Sequence, residues 1–189
     1  MRKDIEDIFQ SSIETIKKSS ELSEDIEKSI DVIVNSLKNG NKIILFGNGG
    51  SAADAQHISA ELIGKYNLER ESFPAISLTT DTSILTAVSN DYSYEKIFSR
   101  QCESLVTKGD VVIGISTSGN SRNVLNGLIT SKKNNAVLIG LLGNNGGQMK
   151  NIVDIPLVVE STSTPRIQEA HRVIYHIICE MVEKKLVEK

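Results

Sequence analysis

The sequence lacks the features that mark membrane, secreted and nucleic-acid-binding proteins. No apolar run approaches the roughly 18 residues of a membrane-spanning helix. The N-terminus, MRKDIEDIFQ, carries acidic residues where a secretory signal would be apolar. Lysine and arginine form no block, and the formal net charge is only −3. We therefore expect a cytoplasmic protein that binds neither nucleic acid nor membrane.

Cysteine is scarce, and repeats are absent. The two cysteines, Cys102 and Cys179, lie in amphipathic segments without a partner at metal-ligand spacing. Such thiols are more often buried apolar side chains than a disulfide, which favours a reducing compartment. The chain also has no internal repeat, low-complexity tract or linker, so residues 1–189 are expected to form one domain.

The apolar pattern predicts an α/β protein with an N-terminal helical extension. Residues 3–38 carry apolar side chains at helical spacing, which predicts one long helix or two helices interrupted near Ser19, Ser20 and Ser23. Short apolar runs then alternate with helical segments, which indicates a parallel sheet covered on both faces. The predicted strands are 42–46, 75–79, 110–115, 136–143 and 152–160. The later predicted helices are 82–106, broken near Asn90-Asp91, 122–134, and a closing helix from Thr164-Pro165.

The first loop, GNGGSA at 47–52, allows two interpretations. It formally matches the dinucleotide pattern G-x-G-x-x-A, with Asp81 as a candidate ribose ligand, so a nicotinamide-dependent dehydrogenase is one alternative. Asp81 lies about 29 residues after the loop, whereas about 20 are expected. Alternatively, Gly49 and Gly50 allow a ligand to approach the backbone while Asn48 and Ser51 offer donors, or the loop is only a tight turn.

A second loop, STSGNS at 116–121, is better suited to a phosphate. Four hydroxyl side chains precede a predicted helix, whose N-terminal amides and positive dipole end attract an anion. The alternative is that these hydroxyls only cap the helix. A third loop, GNNGG at 143–147, is interpreted as a plain connection.

Two helices carry candidate reactive side chains. His57 and Glu61 are spaced i, i+4, which suits a shared metal ion or an acid and base, although a surface pair has the same spacing. On the closing helix, Gln168 and His176 share a broad face, whereas His171 points away from His176. Gln168 and His176 are about 12 Å apart along the helix axis. Either both side chains extend toward one site, or the two residues of one site come from different subunits.

Four motifs together resemble the sugar isomerase (SIS) superfamily, and within it the bacterial phosphoheptose isomerases. They are GNGGSAADAQHxxxEL at 47–62, SND at 89–91, STSGNS at 116–121 and RIQEAHxxxxH at 166–176. The resemblance implies a flavodoxin-like three-layer α/β sandwich, a single SIS domain at 1–189, and a homotetramer with sites near subunit interfaces. The N-terminal helices, 1–38, would serve packing or oligomerisation.

The resemblance also implies an activity and a set of site residues. The reaction is sedoheptulose 7-phosphate to D-glycero-D-manno-heptose 7-phosphate, the first step of ADP-heptose or GDP-heptose synthesis for lipopolysaccharide or capsule. Substrate contacts are expected at Asn48, Gly49, Gly50, Ser51, Glu61, Asn90, Asp91, Ser116, Thr117, Ser118, Ser121 and Gln168. One zinc ion per subunit is expected on His57, Glu61, Gln168 and His176.

Aldose–ketose interconversion through an enediol needs a base at the carbons and a proton donor and acceptor at the oxygens. Glu61 is the expected base and His176 its acid–base partner. A carboxylate bound to metal is a poorer base, and the sequence does not decide between the roles of Glu61 as base and as zinc ligand. Two further alternatives are a non-catalytic SIS adaptor or sugar-phosphate sensor, of the replication-initiator-associating type, and an isomerase of another sugar phosphate.

Overall fold

A computed structural model describes residues 1–187 as a parallel β-sheet between two layers of helices. The sheet has five strands in the order β2-β1-β3-β4-β5, which is the flavodoxin-like order. The strands are β1 (Ile43–Gly47), β2 (Ala75–Ser77), β3 (Val111–Ser116), β4 (Val137–Gly143) and β5 (Ile155–Val159). The predicted α/β class and parallel sheet are confirmed.

Seven α-helices surround the sheet within the described part of the chain. They are α1 (Arg2–Ser19), α2 (Ser23–Lys38), α3 (Gly50–Ile63), α4 (Thr82–Asp91), α5 (Ile97–Leu105), α6 (Arg122–Lys133) and α7 (Thr164–Val187). The predicted break in 82–106 is confirmed, because α4 ends at Asp91. Within residues 1–187, no helix combines the length and apolar character needed to cross a membrane.

The core explains why the strands read as continuous apolar runs. Every residue of β1 is buried, because helices cover both faces of the sheet. Alternate side chains enter different cores: Ile43 and Leu45 pack with α2, α3 and α7, whereas Ile44 and Phe46 pack with α5 and α6. The sheet therefore holds α3 and α7 on the same side.

The N-terminal segment forms two helices separated by a short 3₁₀ turn at Ser20–Leu22, within the predicted interruption. Helix α2 is packed into the core, whereas α1 has no buried residue. Helix α1 lies against the start of α7, where Arg166 donates to the carbonyl of Ile8 and Ser12 donates to Glu169. The outer side of α1 keeps an exposed apolar row: Ile5, Ile8, Phe9 and Ile13.

The ends of β1 and β3 bring two loops of the chain together. These strands are hydrogen-bonded neighbours, with Gly47 paired to Ile115. The chain leaves β1 for β2 on one side and reaches β3 on the other, so their carboxyl ends form a topological switch point, where α/β proteins bind ligands.

Candidate active site

The hydroxyl loop, residues 116–121, joins β3 to α6. The Ser116 hydroxyl lies 3.2 Å from that of Ser121 and 3.5 Å from that of Ser118. Ser121 occupies the N-cap position of α6 but makes no side-chain cap hydrogen bond. The interpretation that these serines only cap the helix is therefore not supported at Ser121. The loop gathers hydroxyls at a helix N-terminus, which is a suitable environment for an anion.

The glycine loop, residues 47–50, lies beside the hydroxyl loop. Asn48 and Asn123 exchange two amide hydrogen bonds of 2.8 Å, and the hydroxyl of Tyr94 donates to Asn48 Oδ1 at 2.9 Å. Gly49 has φ +55°, a left-handed conformation that favours glycine. Asn123 and Tyr94 were not predicted, because no local pattern shows that they face the first loop.

The 143–148 loop, of which residues 143–147 were interpreted from sequence as a plain connection, supports the hydroxyl loop. Its Asn144 side chain donates to the carbonyl of Thr117, and the backbone N–H of Gln148 donates to Asn120 Oδ1. Gly119, with φ +66°, packs so closely on the backbone of Gly146 that a Cβ would overlap its carbonyl. This contact holds the backbone of the hydroxyl loop in place.

A second group of side chains, the His57–Glu61–His176 cluster, lies further along α3 and α7. One ligand atom of each residue lies within 4.8 Å of the other two. His57 Nε2 is 3.0 Å from Glu61 Oε1, which agrees with their predicted i, i+4 pairing. The ring centroids of His57 and His176 are 5.2 Å apart. Two imidazoles and one carboxylate are a donor set that can hold a metal ion.

The surroundings of His176 weaken its affinity for a proton. The centroid of its ring lies 4.7 Å from that of Tyr175 and 6.0 Å from that of Tyr66. This burial lowers the pKa of His176, and the neighbouring His57 lowers it further, while the Glu61 carboxylate opposes both effects. A neutral imidazole in this position can accept a proton or bind a metal.

Four further predicted site residues lie outside this cluster in the single chain. The Gln168 side chain rests on Gly50, which is about 10 Å along α3 from His57. Asn90 and Asp91 are exposed at the end of α4, where the amide of Asn90 donates to Asp91. Ser51 is buried in the first turn of α3. The chain by itself therefore does not bring Gln168 to the other three expected zinc ligands.

Two residues take roles that limit the alternatives. Asp81 accepts a hydrogen bond of 2.9 Å from the backbone N–H of Ile84, so its side chain has a structural role as the N-cap of α4. His171 is fully buried with Nε2 2.9 Å from the carbonyl of Leu142, which agrees with its predicted separation from His176.

Comparisons with known proteins point to one family. The SIS domain family model matches residues 8–143. A phosphoheptose isomerase of Aliarcobacter butzleri is 54% identical to this chain, covering 94% of the chain and 95% of the relative. One of Clostridium acetobutylicum is 49% identical, covering 98% and 96%. The solved phosphoheptose isomerase structure from Neisseria gonorrhoeae is 37% identical, with a TM-score of 0.92 over 97% of this chain and 98% of that one.

Proposed function

The chain belongs to the phosphoheptose isomerase family of SIS domain proteins, and on this premise we propose that it converts sedoheptulose 7-phosphate to D-glycero-D-manno-heptose 7-phosphate. It is an isomerase that interconverts an aldose and a ketose. The observation that carries the proposal is the His57–Glu61–His176 cluster, which places a carboxylate and two imidazoles within 4.8 Å. Neither the dehydrogenase nor the non-catalytic adaptor accounts for this cluster.

The phosphate of the substrate binds at the hydroxyl loop. Ser116, Thr117, Ser118 and Ser121 supply hydroxyl donors, and the N-terminus of α6 supplies backbone N–H groups and a favourable dipole. The glycine loop, with Asn48, Gly49 and Gly50, lines the adjacent side of the site, and the predicted contact Ser51 follows it in the first turn of α3. Asn90, Asp91 and Gln168 complete the predicted sugar contacts.

Glu61 and His176 carry the proton transfers. Glu61 removes the proton from one carbon of the substrate and returns it to the neighbouring carbon, through an enediol. His176 exchanges protons with the carbonyl and hydroxyl oxygens. Its lowered pKa keeps the imidazole neutral near pH 7, where it can first accept a proton and then return it.

We also propose one zinc ion per subunit, bound by His57, Glu61, His176 and Gln168. When bound, zinc polarises the oxygens of the reacting carbons. Three of the four residues are already grouped in one chain. Because Gln168 rests on Gly50 of its own chain, we propose that the fourth ligand comes from a neighbouring subunit.

A shared site requires an oligomer, and we propose a homotetramer. The single SIS domain would associate through its N-terminal helices, residues 1–38, since α1 exposes an apolar row. A groove of about 530 Å³ between these helices and α7 continues that surface and is lined by side chains that include Ile16, Ile26 and Ile177. Contiguous exposed apolar surface of this kind is found at protein–protein interaction sites.

The cellular role follows from the substrate. We propose that the product enters ADP-heptose or GDP-heptose synthesis, for lipopolysaccharide or capsule. A cytoplasmic location is consistent with Cys102 and Cys179, which are buried free thiols.

The proposed function is tested by incubating the purified protein with sedoheptulose 7-phosphate in D₂O. We expect the aldose product, with deuterium at the carbon next to the carbonyl, because a proton held by Glu61 exchanges with solvent. Metal analysis and chelator treatment in the same assay test zinc. A protein that forms no product with or without added zinc would be an adaptor or sensor instead.

A further inference from the structure

A chain of hydrogen-bonded polar groups, formed by buried Asp54, buried Tyr175 and exposed Arg172, lies behind His57 on the side away from Glu61. Asp54, three residues earlier on α3, is 2% exposed. Its carboxylate accepts hydrogen bonds from Arg172 at 3.2 Å and from the Tyr175 hydroxyl at 3.4 Å. The same hydroxyl lies 3.1 Å from His57 Nδ1. Tyr175 therefore joins Asp54 to the ring nitrogen that the His57–Glu61–His176 cluster does not use.

The donors and acceptors of this chain determine where the protons lie. Arg172 Nε always carries a proton and donates it to the Tyr175 oxygen at 3.0 Å. The hydroxyl proton of Tyr175 is directed to the Asp54 carboxylate, which is the stronger acceptor. The remaining lone pair of the Tyr175 oxygen can then accept a proton only from His57 Nδ1.

This arrangement selects one tautomer of His57. With the proton on Nδ1, the Nε2 atom presents a lone pair, 3.0 Å from a carboxylate oxygen of Glu61. Two acceptor atoms at about this separation match neighbouring ligands on one metal ion, whose bonds are about 2.0–2.2 Å long. The opposite tautomer would direct the Nε2 proton at Glu61 and remove that lone pair.

We propose that Tyr175, held by Asp54 and Arg172, is a positioning residue that keeps the proton of His57 on Nδ1 and directs Nε2 into the His57–Glu61–His176 cluster. The inference rests on the proposed metal-dependent function and adds three residues that were not predicted to belong to the site.

The test is the Tyr175→Phe variant of the full chain, which keeps the buried ring and removes the hydroxyl. Zinc affinity of the metal-free protein is measured by competition with a chromophoric chelator. We expect about 10- to 100-fold weaker binding, the usual effect of losing a hydrogen bond to a ligating histidine. The matched control is Tyr66→Phe, because that ring also packs against His176 and its hydroxyl does not contact His57. The control should bind zinc like the wild type.

A second readout does not depend on metal. Long-range ¹⁵N–¹H NMR spectra report the tautomer of each histidine in the metal-free protein, and the chain has only three histidines to assign. In the metal-free protein Glu61 competes for the His57 proton through Nε2, so we expect a larger share of the Nδ1–H form in the wild type than in Tyr175→Phe. Wild-type zinc affinity together with an unchanged tautomer in Tyr175→Phe would overturn the inference. If the wild type itself binds no zinc, the zinc proposal fails, and the NMR comparison still decides the role of Tyr175.

Discussion

Glu61 is the residue through which acid–base chemistry and metal binding meet. Its carboxylate is partly buried and lies against His57 Nε2. A carboxylate can act as a base only while a lone pair remains available, so the two proposed roles of Glu61 compete. Because the carboxylate has two oxygen atoms, one can bind the metal while the other acts as the base.

Replacing Glu61 by glutamine tests its role as the base. Glu61→Gln keeps the size of the side chain and removes the base, so kcat should fall by about 10²- to 10⁴-fold. Sugar-phosphate binding, measured by calorimetry, should persist because the hydroxyl loop is unchanged. Glu69→Gln is the control, since Glu69 is exposed and pairs only with Lys65. Turnover near the wild-type rate, with zinc content measured in parallel, would remove Glu61 from the mechanism.

Between the elements, close backbone contact shapes the proposed phosphate site. Gly119 of the hydroxyl loop touches Gly146 and Gly147, and the backbone N–H of Met149 donates to the carbonyl of Gly119. Two loops can meet backbone to backbone only where side chains are absent. The 143–148 loop thus contributes to the site without facing the ligand.

Substitution of Gly119 should therefore affect binding more than folding. In Gly119→Ala the added Cβ must displace the 143–148 loop, and we expect KM for the sugar phosphate to rise about tenfold or more, as one phosphate hydrogen bond is lost. The control is Gly40→Ala, which also has a positive φ (+76°) but open space around its Cβ. That variant should lose about 1–2 kcal/mol of stability and keep its KM. An unchanged KM in Gly119→Ala would show that the contact does not position the loop.

A buried ion pair joins the segment after α3 to α7. Glu183 accepts hydrogen bonds from the backbone N–H groups of Tyr66, Asn67 and Leu68, and from Arg70 at 2.9 Å. Arg70 also donates to the carbonyl of Glu61. Burial alone would raise the pKa of Glu183, but these donors outweigh it, and the pKa is lowered.

The lowered pKa has a defined consequence for acid stability. The ionised Glu183 carboxylate adds to the free energy of unfolding. This stabilisation is complete above the unfolded-state pKa of about 4.3, and it is lost as the pH falls through the lower pKa of the folded state. At pH 7, Glu183→Gln should destabilise the protein by about 3–5 kcal/mol, because it leaves Arg70 buried without its partner. Urea unfolding should show this difference shrinking below about pH 4. The exposed control Glu103→Gln, which loses only a surface pair with Arg100, should change stability by less than about 1 kcal/mol at either pH.

For the whole molecule, the exposed row on α1 supports the proposed association. Four large apolar side chains on one helix are each about half exposed or more in the single chain. Burying them between subunits would be favourable by about 25 cal/mol for each Å² removed from water. Helix α1, which has no buried residue and packs on the core through partly buried Ile16, thus offers its exposed row to the proposed interface.

Charges in this row should prevent assembly. The double variant Ile8→Glu and Phe9→Glu should sediment as a smaller species than the wild type while keeping its helical circular dichroism. Gln10→Glu adds a charge to the same helix outside the row and should leave the mass unchanged. A double variant with wild-type mass would exclude α1 from the interface.

Sharing of the site between subunits can be tested by mixing. Gln168→Ala and His57→Ala subunits should each be inactive as pure assemblies. After they are unfolded and refolded together, partial activity should return, because some sites then receive an intact Gln168 from one subunit and an intact His57 from another. Pure variants refolded alone are the control. No recovery in verified mixed assemblies would show that both residues serve one chain.

The sequence alone determined the secondary structure and part of the site. The strands were visible because a sheet covered on both faces needs continuous apolar runs, and β1 has no exposed residue. The pairing of His57 with Glu61 was visible because helical geometry places residues i and i+4 on the same side. Both are short-range properties, which neighbouring residues determine.

Only the tertiary structure decided which elements meet. Nothing in the local sequence marked Tyr175 of α7 as a site residue, but the fold places it against Asp54 and His57 of α3. Likewise, Asn123 meets Asn48 only because β1 and β3 are neighbouring strands. The distance of Gln168 from the His57–Glu61–His176 cluster also depends on how α7 lies along α3. These contacts follow from strand order and long-range packing, which local periodicity does not encode.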